Sequence, residues 1–200
     1  MSQQLFKNDV LFYQRLLSCA GFYTDALDGV WGKNTDAADK AFEAKSNQIA
    51  TSLGSFDQRT ERNIRALLPV AQDAARKSLK KMIGAGIDAR IISGTRTYAE
   101  QNALFRQGRF GNSGPVVTNA RGGFSWHNFG LAWDIGIFSA SGQYQTTSAP
   151  YNAASVHAII PGLQWGGNWV SFKDPPHYQT APAGQSISQA RAHFESGGRG

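Results

Sequence analysis

Two separated segments constrain this chain most: Ser125-Trp-His-Asn-Phe-Gly-Leu-Ala-Trp-Asp134, and Trp165-Gly-Gly-Asn-Trp-Val-Ser-Phe-Lys-Asp-Pro-Pro-His177. His127 and Asp134 in the first and His177 in the second make two imidazoles and one carboxylate. Zinc accepts that ligand set with a fourth position left open, the mark of a catalytic rather than a structural site. Using all three residues together requires a fold that lays the two segments side by side. Asp174, three residues before His177, offers a further carboxylate that can take a proton from a water held at such a site.

Each segment also supports a plainer reading. Leu131 to Phe138 alternates, with Leu131, Trp133, Ile135 and Ile137 on one face and Ala132, Asp134, Gly136 and Phe138 on the other. The small neighbours Ala132 and Gly136 are expected to leave room beside the Asp134 carboxylate, and Gly130 to let the chain turn His127 back toward it. That pair alone equally describes a hydrogen-bonded His–Asp couple. In Asp174-Pro-Pro-His177 the prolines favour polyproline geometry, which would project residues 174 and 177 from one side; a rigid surface loop is the alternative. In Ser93-Gly-Thr-Arg-Thr97 the chain passes from strand to helix. Arg96 there is placed to hold a carbonyl and the oxyanion that grows from it, or to form a structural salt bridge. His157, in a helical stretch, is expected to pack, and His193 to lie on an exposed terminal helix.

Composition narrows the partners. The 200 residues are 41% hydrophobic, enough for a sizeable core, and a net charge of +6 favours polyanions. The cations are scattered, so no nucleic-acid patch is expected; Lys77, Lys80 and Lys81 fit a solvated helix face. No apolar run approaches a membrane span. No secretory signal is visible, so the expected location is the cytoplasm of the producing cell until release to the wall. Cys19 stands alone and is expected to be a buried packing thiol.

The helical periodicity of Val10 to Ala20, the Asp28-Gly29 turn and a helix over Asp36 to Lys45 predict a small N-terminal helical bundle over residues 1–70. Gly54-Ser-Phe56-Asp-Gln-Arg-Thr60 echoes Gly29-Val-Trp31-Gly-Lys-Asn-Thr35, and each copy precedes a helical pattern. Tyr13-Gln-Arg-Leu-Leu17, Gly21-Phe-Tyr23 and Asp28-Gly-Val-Trp-Gly-Lys-Asn-Thr35 resemble the peptidoglycan-binding domain of cell-wall hydrolases, over roughly residues 5–68. A helical bundle without a ligand is the alternative. Leu67-Leu-Pro69-Val marks the expected boundary. Residues 71–200 read as a mixed α+β domain with a small antiparallel sheet and a C-terminal helical tail. Its pattern is a helix over Ala71 to Met82, strand Ala89 to Ser93, helix Tyr98 to Gln107 capped by Thr97, a long loop from Gly108 to Gly123, a helix over Tyr151 to Ile160, and a strand from His177 to Gln179.

Taken together, Ser93-Gly-x-Arg96, Ser125-x-His127-x-x-Gly130-x-Ala132-x-Asp134 and Trp165-Gly-Gly-x-Trp169 leading to Asp174-x-x-His177 resemble the D-alanyl-D-alanine carboxypeptidase/L-alanyl-D-glutamate peptidase family of zinc enzymes, which includes VanX- and VanY-type enzymes and phage endolysins. The resemblance implies one zinc per chain on His127, Asp134 and His177, Asp174 as general base and Arg96 as the group that steadies the substrate. Ser93, Ser125, Trp126 and Trp169 are then candidate substrate contacts, with core packing the alternative for the two tryptophans. The implied function is a monomeric, endolysin-like hydrolase of peptidoglycan that cuts the L-alanyl-D-glutamate bond. A D-alanyl-D-alanine carboxypeptidase, or a non-catalytic wall-binding protein with structural zinc, are the other readings.

Overall fold

The computed structural model describes residues 7–199; residues 1–6 and 200, which fall within the two expected domains, lie outside the described residues. The helices are α1 (Lys7–Cys19), α2 (Lys33–Leu53), α3 (Gln58–Arg65), α4 (Pro69–Gly84), α5 (Tyr98–Arg106), α6 (Ser148–Ser155) and α7 (Ile187–Glu195). The strands are β1 (Asp88–Ser93), β2 (Ala132–Phe138), β3 (Gln164–Trp165) and β4 (His177–Gln179), and a 3-10 turn spans Trp126–Phe129. The architecture is therefore the expected one, a helical N-terminal region followed by a mixed α+β region with a small antiparallel sheet. Among the described residues no helix is long and apolar enough to cross a membrane.

The chain separates into two compact units. One comprises the described residues of Met1–Lys45, Arg96–Phe129 and Gln185–Gly200; the other is Ser46–Thr95 with Gly130–Gly184.

In the first unit, α1 buries Val10, Leu16 and Leu17. It stops at Gly21, where φ is +82°. Gly21 N–H donates to Ser18 O and Phe22 N–H to Leu17 O, the paired bonds that satisfy the last carbonyls of a helix ending in a left-handed residue. Leu17, Tyr23, Ala38 and Phe42 form a small core here. Phe12 of α1 also packs against Tyr98 of α5 and Phe194 of α7, and Phe194 against Phe129. Helix α5 begins with the capping box Thr97/Glu100, in which each side chain satisfies the other's free backbone N–H. The long Gly-rich segment after α5 is a surface loop without regular structure, as expected, but it is tied down. Gln101 donates to Ala120 O, and Asn102 accepts from Gly122 N–H.

In the second unit the sheet order is β1-β2-β4-β3, every pair antiparallel. Strand β2 is interior, so its alternation has a direct consequence: Trp133, Ile135 and Ile137 point into the core with Ala89, Ile91 and Tyr178. Helix α4 covers that face with Ala71, Ala75, Leu79 and Met82, and α6 adds Tyr151 and Ala154. Trp133 and Tyr178, direct cross-strand partners, stack at 6.3 Å.

The boundary expected at Pro69 is crossed by this core. Pro69 does open α4, where its missing N–H has no helical partner to lose. Yet Ile64 and Leu67, fully buried, belong to the same apolar cluster as Leu79 and Ile91. Thr60 Oγ1 accepts from Ile91 N–H and Asn63 Nδ2 donates to Ile91 O, so α3 continues the hydrogen bonding of β1. Glu61 and Arg76 close a bidentate pair at 2.7 and 2.8 Å, and Arg76 is wholly buried.

Candidate metal centre

The sheet face opposite the apolar core carries the polar residues. Asp134 on β2 and His177 on β4 are register partners, so their side chains stand on the same face of adjacent strands. His177 Nδ1 lies 3.2 Å from Asp134 Oδ1, and its Nε2 lies 2.9 Å from Gln179 Oε1. Gln179, two residues along β4, returns to the same face and donates in turn to Gln164 Oε1. Burial works to lower the proton affinity of His177. Hydrogen bonds and charge from Asp134, the Gln179 amide and the charge of Asp174 outweigh it and raise the imidazole above its ordinary value. A negative field that favours a proton on this imidazole also favours a metal cation, and the two compete for the same nitrogen.

The third residue of the set, His127, is buried in the 3-10 turn, and that turn is locked by its neighbours. Arg96 N–H donates to His127 O at 3.1 Å, while Asn128, fully buried, donates through Nδ2 to Arg96 O at 2.8 Å. Two loops distant in sequence are thus held edge to edge, one carrying His127 and the other Arg96. One potential ligand atom from each of His127, Asp134 and His177 lies within 4.8 Å of the other two. Two buried imidazoles and a half-buried carboxylate so disposed can hold one metal ion.

Asp174 is placed by a different backbone than the prolines suggest. Asp174-Pro-Pro-His177 closes as a turn, with His177 N–H donating to Asp174 O at 3.1 Å, rather than running on as a polyproline segment. The Asp174 carboxylate is half-buried, and its charge is one of the influences that raise His177. Gly166 makes the turn possible, because a Cβ there would meet Asp174 O at 2.5 Å. Trp165 Nε1 donates to Pro175 O and fixes the turn from behind.

Trp169 lies against the His177 ring, centroids 5.0 Å apart. Trp126 is half-buried and packs edge-on against Phe129. Ser93 ends β1 as the register partner of Asp134, after a bulge, and Ser125 accepts Asn128 N–H at the start of the turn. Three expectations change. Gly136 does not open space beside Asp134, because Ile92, Tyr144 and Phe138 fill it to within 3.0–3.2 Å of where its Cβ would stand. His157 follows α6 in a turn and is exposed rather than packed. Cys19 is only partly buried, although that burial still pushes its thiol up to about 11. Asn128 and Gln179 went unnoticed in the sequence. Gln179 could have been found from its two-residue spacing to His177 on a strand; Asn128 carries no such signal.

Residues 118–180 match a family described as D-alanyl-D-alanine carboxypeptidase. A peptidoglycan L-alanyl-D-glutamate endopeptidase of Bacillus subtilis (strain 168), CwlK, is 38% identical in an alignment of 106 residues that covers 48% of this chain and 63% of that protein. The chain therefore spans less than two thirds of that relative's length. The crystal structure of the Serratia marcescens L-Ala D-Glu endopeptidase ChiX aligns over 62% of this chain and 87% of its own, with 26% identity and a TM-score of 0.48.

Proposed function

We propose, for a chain homologous to the D-alanyl-D-alanine carboxypeptidase/L-alanyl-D-glutamate peptidase family of zinc enzymes, that it hydrolyses the stem peptide of peptidoglycan at the L-alanyl-D-glutamate bond. The observation that carries this reading is the His127–Asp134–His177 cluster with Asp174 beside it. A wall-binding protein with only structural zinc has no use for that second carboxylate. The identity to a named L-alanyl-D-glutamate endopeptidase supports the choice of bond.

His127, Asp134 and His177 would hold zinc, which supplies Lewis acidity toward a carbonyl and makes water more acidic. Asp174 accepts the proton released from the attacking water and returns it to the leaving amine. Arg96 presents its guanidinium to the substrate carbonyl and to the charge that develops on it. Asn128 acts through them, keeping the Arg96 and His127 loops in register. Ser93, Ser125, Trp126 and Trp169 border these groups in sequence or space and are assigned to substrate contact. For the N-terminal residues we assign retention on the wall. Trp31, 39% exposed, stacks on Tyr13 at 5.9 Å and offers an aromatic surface for that contact.

Mass spectrometry of fragments from purified peptidoglycan tests the assignment. New free L-alanine carboxyl ends and D-glutamate amino ends are expected. Release of free D-alanine without them would assign the carboxypeptidase reaction instead.

A further inference from the structure

An open cleft of about 660 Å³ in the first unit is lined by Phe105, Asn119, Ala120, Arg121 and Phe124. It ends three residues before His127, and its wall is tied to the metal-ligand turn. Gly123 N–H donates to Asn128 Oδ1 at 2.9 Å, and Asn128 in turn holds the Arg96 loop. The segment that forms this wall and the turn that carries His127 therefore share one hydrogen-bond network.

The cations nearby are not equivalent. Arg109 is consumed by the loop itself, its guanidinium donating to Phe105 O, Thr118 O and Asn119 Oδ1 at 2.7–2.8 Å. Arg191 is paired with Glu195. Arg121 is exposed and rests on the Phe105 ring at 5.1 Å; its backbone carbonyl accepts from Phe124 N–H, while among the described residues its guanidinium has no hydrogen-bond or carboxylate partner. A guanidinium laid on an aromatic ring keeps its edge donors directed outward in a planar fork, the arrangement that receives a carboxylate.

We propose that this cleft is the subsite for the free carboxylate of the glutamate next to the scissile bond, with Arg121 as the residue that recognises it. The inference rests on the stem-peptide reading above. Glutamate has two carboxyl groups; one carries the chain onward and the other remains as an anion close to the bond that is cut. Phe105 and Phe124 flank it with apolar surface, and the openness of the cleft admits a peptide still attached on both sides.

The test compares two soluble muropeptides, one with glutamate and one with its amidated, uncharged counterpart, on the zinc-loaded wild type, Arg121→Gln and Arg121→Lys. Wild type should prefer the acidic substrate by about tenfold in KM, the scale of one hydrogen bond to a charged group. In Arg121→Gln that preference should collapse, with the loss in KM rather than kcat, and Arg121→Lys should keep part of it. Equal use of both substrates by wild type would overturn the inference and leave the peptidase reading standing. So would a preference that survives in Arg121→Gln, or a loss that is the same for both substrates. Arg121-dependent sedimentation with anionic lipid vesicles, with substrate preference unaltered, would overturn it in favour of a membrane-facing role. Failure of wild type to cleave either substrate would overturn both.

Discussion

Glu61→Gln is the substitution for which the fold gives the firmest magnitude. Arg76 is 0% exposed and its guanidinium is held by both oxygens of Glu61 and by Gly54 O, while among the described residues its Nε has no hydrogen-bond partner. Removing one member of a buried pair leaves the other charge without compensation, which costs about 3–5 kcal/mol. Glutamine retains one acceptor oxygen, so the loss should lie near the lower figure, and Glu61→Ala nearer the upper. Against a total stability of roughly 5–15 kcal/mol for a domain, either is severe. Urea unfolding of the full chain at fixed zinc reads this as a lower midpoint with unchanged slope. Asp36→Asn is the control: the Lys40–Asp36 pair is solvent-exposed on both sides and should leave the midpoint nearly unmoved.

The same pair predicts a pH dependence. Burial would raise the Glu61 carboxyl, but hydrogen bonds from Arg76 and Phe56 N–H, with the charges of Arg76 and Arg65, hold it below its ordinary value. The unfolded chain therefore takes up the proton first. The stability from Glu61 is present above the unfolded carboxylate pKa and is lost as pH falls through the lower folded one. Wild type should lose that increment on acidification, and Glu61→Gln should lack it. A Glu61→Gln midpoint indistinguishable from that of Asp36→Asn would refute the reasoning.

Further outcomes follow from the same contacts. A chain starting at residue 71 lacks Ile64, Leu67 and Glu61 and should not fold cooperatively by calorimetry; a cooperative transition would show α3 to be dispensable. Asp174→Asn should retain metal and lose activity by about 10²–10⁴, the range for a general acid–base group, whereas turnover within a few-fold of wild type would remove Asp174 from that role. His157→Ala, at an exposed turn, should leave metal content and activity intact, and loss of metal there would point to a different ligand set. Trp31→Ala should reduce co-sedimentation with insoluble wall while leaving hydrolysis of soluble muropeptides in place; unchanged retention would count against anchoring through that ring.

Much of the site was legible because its residues carry local signals. The alternation of β2 announces which side Asp134 takes, and Thr97 announces the start of α5. What remained hidden depends on partners far away in sequence. Nothing within residues 58–65 reveals that Thr60 and Asn63 complete the hydrogen bonding of β1, whereas Pro69, which opens α4, reads in the sequence only as a break. Gly136 suggested empty space because side-chain size says nothing about which neighbours fill it, and here Ile92 and Tyr144 do. Asn128, a buried amide among aromatics, takes its meaning only from the Arg96 carbonyl it reaches.

Hydrolysis is expected to depend on one zinc held by His127, Asp134 and His177. Titrating zinc into metal-free protein while following muropeptide cleavage checks this. Activity should rise in proportion to bound zinc and level off at one equivalent, and His127→Ala should neither bind that equivalent nor cleave. Full activity in metal-free protein, or stoichiometric zinc retained by His127→Ala, would contradict it.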